Sequence, residues 1–189
     1  MIALRAHVIE LVRTRGYEHR DEPFTLASGA LSHDYVDAKY AIDTGERLRV
    51  VSEAVIQLAA ELLIEFDAVG GLTMGADALT HGVSMVSGCM WFTVRKEPKP
   101  RGRTQWIEGG RLGAEHSVLL VEDVVTTGGS VLKAFDVVAA TGATVAGVIT
   151  LVDRGDGGGA LFAARGVPYA ALVTYRDLGI EPITAQTPN

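Results

Sequence analysis

The chain has 189 residues, a formal net charge of −6, 48% apolar residues and one cysteine. That length suits a single domain with its own core. The acidic balance argues against a general nucleic-acid or membrane-surface binder, and the lone Cys89 excludes an internal disulfide and suits a reducing cytoplasm.

The start, MIALRAHVIELVRTRG, lacks the basic head and unbroken apolar run of a signal peptide, and no apolar run reaches membrane-span length. Residues 2–15 read instead as an amphipathic helix with Leu4, Val8, Leu11 and Val12 on one face and Gly16 as its stop. Phe24–Gly29 and Tyr35–Asp37 alternate around a Gly/Ser turn, which predicts a hairpin. Residues 46–66 carry the clearest helical stripe, Leu48, Val51, Val55, Leu58, Leu62 and Phe66.

From there strands and helices alternate. Ala68–Leu72 reads as a buried strand, then a small-residue loop at Thr73–Asp77, then a helix through Met85. Trp91–Val94 and Val118–Val121 are further strands, and Ser130–Thr141 is a helix stopped by Gly142. Val145–Val152 is an apolar strand ending in Asp153-Arg154-Gly155-Asp156; a short helix, Ala160–Arg165, and a strand, Tyr169–Val173, complete the pattern. Such alternation predicts an α/β fold, a parallel sheet with helices on both faces and its ligand beyond the carboxyl ends of the strands. The hairpin, ahead of the sheet, is placed to act as a hood over that rim.

Two stretches carry chemistry. The first is Val118–Val131, VLLVEDVVTTGGSV. A buried strand running through a Gly/Thr loop into a helix presents a concavity of backbone N–H groups with the helix dipole behind it, which suits a phosphate. Thr126, Thr127 and Ser130 add hydroxyl donors, and Gly128 and Gly129 allow close approach. Glu122 and Asp123 would repel a phosphate unless they face another part of the same ligand; carboxylates only accept, so they suit sugar hydroxyls or a metal. A ribose 5-phosphate satisfies both ends. Neither a Walker nor a dinucleotide fingerprint is present. The second stretch, RKEPKPRGR at 95–103, concentrates five cations in an acidic chain; its prolines and glycine forbid regular structure. It reads as a solvated charged loop or as a lid for a ligand with several phosphates. The five histidines show no metal spacing.

VLLVEDVVTTGGSV closely resembles the 5-phosphoribosyl 1-diphosphate (PRPP) signature of type I phosphoribosyltransferases. Over nearly the whole chain, Phe24-x-Leu-x-Ser28-Gly29, Tyr35-x-Asp37, Gly70-Gly71-Leu72, Arg95-Lys96-x-x-Lys99, Ile107-Glu108-Gly109 and Asp153-Arg154 resemble the orotate branch of that family. The resemblance implies one domain over 1–189, with a small N-terminal hood (about 17–40) and a five-stranded, mainly parallel core sheet flanked by helices (about 44–180). It implies a cytoplasmic homodimer in pyrimidine biosynthesis that takes PRPP and orotate, with Mg²⁺ held mainly by PRPP and not directly by the protein. PRPP would be bound by Arg95, Lys96, Lys99, Glu122, Asp123, Val124, Val125, Thr126, Thr127, Gly128, Gly129 and Ser130. Orotate would be bound by Thr126, Arg154 and Tyr35. Lys99, Asp123 and Arg101 would serve catalysis, the loop reaching a partner's site. The chain departs from the pattern at Arg101, where the family usually has histidine, and at Ala27 and Met74, where it often has lysine. These departures keep open a transferase for a different base and a silent PRPP-binding regulator.

Overall fold

A computed structural model describes residues 2–25, 31–98, 105–155 and 157–183. Helix α1 (Ile2–Leu11) runs into one wider π-turn over Val12–Gly16, so the helix expected over 2–15 is shorter and changes its winding before it ends. Gly16 is the last residue of that turn and the extended Tyr17 is its cap, one residue past the stop read from the sequence; the Gly16 carbonyl accepts from the Asp37 amide at 2.8 Å. A hairpin is present with other bounds than expected: β1 (Tyr17–Thr25) starts well before Phe24 and pairs antiparallel with β2 (Leu31–Val36) in a two-stranded sheet of their own, and residues 26–30 lie outside the described residues. A 3₁₀ turn, Ala38–Ala41, is capped by the Asp37 side chain and hands the chain to α2 (Gly45–Glu61).

Helix α2 takes Thr44 as its N-cap, the hydroxyl accepting from the Arg47 amide. It stops at Glu61, earlier than the apolar stripe to Phe66 suggests. Leu63 adopts φ 56° and is 88% exposed, and the Ile64 amide turns back to the Ala59 carbonyl at 2.9 Å. The stripe is thus interrupted by a left-handed residue that no periodicity reveals.

The main sheet comprises β3 (Ala68–Leu72), β4 (Met90–Val94), β5 (Ile107–Gly109), β6 (Ser117–Val125), β7 (Thr144–Asp153) and β8 (Tyr169–Thr174), in the spatial order β5-β4-β3-β6-β7-β8. Five strands are parallel, as expected; β5 adds an antiparallel edge through its pairing with β4. At three residues β5 is too short to show a period. Four more helices, α3 (Asp77–Ser87), α4 (Gly129–Ala139), α5 (Gly158–Ala163) and α6 (Tyr175–Leu178), complete the fold. Among the described residues no helix is long and apolar enough to cross a membrane.

The central strand sorts its side chains by parity. Leu119 and Val121 face a core with α1, α2 and α3, whereas Val118 and Leu120 face a second core with α4 and Phe162 of α5. All four are essentially unexposed. Burial of each leucine contributes roughly 1.5–3 kcal/mol relative to leaving it in water. The chain leaves β3 towards β4 and returns to β6 on the other side, so strand order reverses between β3 and β6. In open parallel sheets the crevice at such a reversal, beyond the carboxyl ends, is where ligands bind.

Candidate active site at the strand reversal

The two acids lie inside β6, not after it. The sequence suggested a strand ending at Val121, but pairing with the long apolar β7 carries the ladder on, with Glu122 opposite Thr150 and Val125 opposite Asp153. Glu122 and Asp123 are 4% and 8% exposed. Thr150 Oγ1 donates to the Glu122 carbonyl at 3.2 Å, and the Asp123 carboxylate accepts from the Val124 amide at 2.8 Å.

Neighbours on a strand ordinarily point to opposite faces, yet both carboxylates converge on Gly75 in the loop after β3. A Cβ there would lie 2.6 Å from Asp123 Oδ1 and 2.7 Å from Glu122 Oε1. Glycine is therefore what lets the β3 loop close over the acids. Within β3, Gly71 permits a similarly close approach to β6, since a Cβ there would collide with the Val121 carbonyl. The Thr73–Met74 peptide bond in this loop is cis.

A cavity of about 410 Å³ opens at this point, lined by Lys39, Leu72, Thr73, Met74, Gly75, Lys96, Glu122, Asp123, Val124 and Ser130. Beside it, Val124–Val131 wrap a second recess of about 260 Å³. Gly128 adopts φ +82° there as the N-cap of α4, a conformation that strains any residue with a Cβ. The two recesses share Val124 and Ser130, so an acid pole and a helix-N-terminal pole form one trough.

Burial raises the Glu122 pKa and the charge of Asp123 adds to it, so the group is pushed up to about 8, against opposition from the Asp123 amide and from Lys39. At neutral pH the trough thus carries less negative charge than its acids suggest. For Lys39, burial pulls downward, but the hydrogen bond to Asp37 and the charge of Asp123 more than offset it and hold the ammonium above its ordinary value.

A phosphoribosyl transferase domain matches residues 42–161, which contain every part of this trough except Lys39. Over 181 residues the chain is 36% identical to an orotate phosphoribosyltransferase of Corynebacterium glutamicum, covering 95% of this chain and 96% of that one. The identity to the enzyme of that name from Aquifex aeolicus is 38% over 180 residues, covering 92% and 97%. The fold superimposes on Mycobacterium tuberculosis orotate phosphoribosyltransferase in complex with PRPP with a TM-score of 0.78 at 33% identity, over 94% of this chain and 99% of that one. The chain belongs to the orotate phosphoribosyltransferase family.

In this phosphoribosyltransferase the expected PRPP residues from Glu122 to Ser130 all line the trough, and Lys96 joins them from the end of β4. Arg95 is turned aside: its guanidinium pairs with Glu108 at 3.3 Å and donates to the Glu97 carbonyl at 3.1 Å. The two stems of the cationic loop are joined by the Arg95 amide on the Trp106 carbonyl at 2.8 Å. Lys133 of α4 donates to the Lys96 carbonyl and stacks over Trp106 at 5.4 Å. Lys99 and Arg101 lie outside the described residues, as does Ala27. Met74 stands on the rim, 76% exposed.

Arg154 is 3% exposed beneath the hood. Its Nη1 donates to the Asp34 carbonyl at 2.8 Å, while Nε is buried without a partner. Burial lowers its pKa, and the negative charge of Asp34 opposes that. Asp34 is itself held by Tyr17 Oη and His19 Nδ1, each at 2.9 Å. The Arg154 amide donates to the Val125 carbonyl, and Gly155 packs so tightly on Thr126 that a Cβ would collide with its carbonyl. The arginine loop and the phosphate loop are therefore one rigid unit. Tyr35 lies apart, against Arg20 and Phe24, and lines neither recess of the trough.

Two participants escaped sequence reasoning. Gly75 is visible only once β3 and β6 are adjacent. Lys39 sits 84 residues from Asp123 in the chain, yet its Nζ donates to Asp123 Oδ2 at 3.1 Å. Among the described residues no group of three or more His, Cys, Asp or Glu is gathered as a metal site. Two adjacent carboxylates suit Mg²⁺ as an ion carried largely by oxygens of a bound phosphorylated ligand.

Proposed function

We propose that this chain transfers the 5-phosphoribosyl group of PRPP to orotate, giving orotidine 5′-monophosphate and diphosphate. The observation that supports it most is the trough itself: two strand-end carboxylates converging on Gly75, next to an N–H-lined loop at the start of α4. Thr126–Ser130 hold the 5-phosphate with amides, hydroxyls and the helix dipole. Glu122 and Asp123 accept from the ribose hydroxyls.

The substrate supplies its own nucleophile. A ring nitrogen of the base bonds to C1′ as the C1′–O bond breaks and diphosphate leaves with the electron pair. Positive charge gathers on the ribose and negative charge on the leaving group, so the protein contributes position and electrostatics. The acids face the developing cation, and Lys96 faces the diphosphate; the resemblance gives Lys99 and Arg95 the same task, and Arg95 would have to leave Glu108 to take it up. Mg²⁺, carried mainly by PRPP and bound beside Glu122 and Asp123, would supply further charge neutralisation. Arg154, whose main chain is tied to the phosphate loop and whose buried Nε has no partner, is the residue assigned to the orotate carboxylate.

We also assign a cytoplasmic homodimer with a shared site. Mixing Lys99→Ala and Arg154→Ala chains then restores part of the activity; recovery no greater than the sum of the parents contradicts it. The activity itself is tested by offering a panel of bases with PRPP and Mg²⁺. Orotate alone should be consumed with diphosphate release. Consumption of another base only would change the acceptor, and PRPP binding with no turnover would make the chain a regulator.

A further inference from the structure

Lys39 is the feature of the trough that nothing above assigns a task. It lies in the 3₁₀ turn between hood and core, outside the residues matched by the transferase domain. Its backbone is pinned twice: its own amide donates to Asp37 Oδ1 at 3.1 Å, and its carbonyl accepts from the Ile42 amide at 3.1 Å. Its ammonium then bridges Asp37 Oδ1, at 2.9 Å, and Asp123 Oδ2, at 3.1 Å. The Asp37 amide continues the chain of contacts to the Gly16 carbonyl at the end of the N-terminal helical segment.

The geometry of Asp123 makes this bridge consequential. Oδ1 accepts from the Val124 amide, so that edge of the carboxylate is fixed by β6 itself. Oδ2 is the other edge, and its partner is Lys39, which lines the same cavity as Asp123. A strand-end carboxylate with one fixed oxygen still rotates about its Cα–Cβ and Cβ–Cγ bonds unless the second oxygen is also held. The ion pair is half in water, since the lysine side chain is 55% exposed, so its worth to folding is small. Its worth to placement is larger, because a misplaced group near a reaction centre costs far more in rate than in stability.

We propose that Lys39 is a positioning residue of the transfer: reaching from the hood junction, it aims the Asp123 carboxylate at the ribose hydroxyls of the bound phosphoribosyl donor. The inference rests on the phosphoribosyl reading of the trough. It also makes the hood a structural part of the donor site, and not only a cover for the acceptor.

The test compares the full chain with Lys39→Met and Lys39→Arg, reading PRPP affinity by calorimetry with Mg²⁺, kcat, and KM for each substrate, with the melting temperature alongside. Lys39→Met should lower kcat by about tenfold to a hundredfold and weaken PRPP binding, with KM for orotate and the melting temperature near the parent values. Lys39→Arg, which keeps the charge, should recover most of the loss. Unchanged kcat and PRPP affinity in Lys39→Met would overturn the assignment, as would a loss in step with a fall in melting temperature that Lys39→Arg does not reverse. If the parent binds PRPP but leaves orotate untouched, the acceptor reading fails while PRPP affinity still decides the role of Lys39. If the parent does not bind PRPP, the phosphoribosyl reading and this inference fall together.

Discussion

The donor trough and the hood junction are built in opposite ways. In the trough, strand, acids, phosphate loop and helix follow one another within Ser117–Ala139, and the β3 loop and Lys96 close on a frame that is already local. Beneath the hood, Arg154 meets the carbonyl of Asp34 and Lys39 meets Asp123, contacts that span 120 and 84 residues. The first kind of site is encoded by local order; the second exists only after the whole sheet has formed. The difference separates what holds the donor from what completes the site around it, and substitutions on the two sides should fail differently.

The largest effect is expected in the trough. Asp123→Asn keeps shape but loses a charge facing the developing cation, and should lower kcat by about a hundredfold or more while leaving the melting temperature close to the parent. Unaltered turnover would remove the acid from the chemistry.

Gly155→Ala attacks the seam between the two regions, since its Cβ would collide with the Thr126 carbonyl. Relief requires the arginine loop to move off the phosphate loop, so affinity for both substrates should fall together. A rise in KM for orotate alone would show that the loops are not one unit.

Arg154→Gln acts on the hood side. It deletes a buried charge and the hydrogen bond to Asp34, which should raise KM for orotate by tens of times and lower stability by about 1–3 kcal/mol. PRPP affinity should hold in the same calorimetric titration.

A last effect, on stability and not on turnover, concerns acidity. Glu122 titrates near 8 in the folded chain, against an ordinary value of 4.5. The folded form thus binds this proton more tightly than the unfolded form. That contribution to stability is complete below about pH 4.5 and fades as pH rises through about 8. Thermal unfolding of the free chain should show a decline across that window, and Glu122→Gln should flatten it. An equal decline in the variant would place the proton elsewhere.

The same contrast explains what could be read in advance. The parallel strands, the hairpin and the trough residues carry local signals: apolar runs, turn residues, and a loop whose amides and hydroxyls suit phosphate. The extension of β6 through the two acids does not, because it depends on β7 supplying ladder partners as far as Asp153. The early end of α2 is set by the left-handed Leu63 and the return of Ile64 to Ala59, which its continuing apolar stripe conceals. Gly75 reads as an ordinary loop glycine until two carboxylates are found within reach of it. Lys39 carries no local signal, because the partner that gives it a place, Asp123, lies 84 residues on. The resemblance pairs Tyr35 with Arg154, but strand alternation turns it to the opposite side of the hairpin from Asp34.

The claim beneath all of this is that the acids and the N–H loop grip opposite ends of one activated pentose. Calorimetric titration of PRPP into the chain with Mg²⁺ tests it most directly, run in parallel on Asp123→Asn and on Ser130→Asp, which sets a negative charge at the phosphate pole. The account predicts saturable one-site binding to the parent and clear weakening in both variants. Binding that neither substitution disturbs, or no binding to the parent, would contradict it.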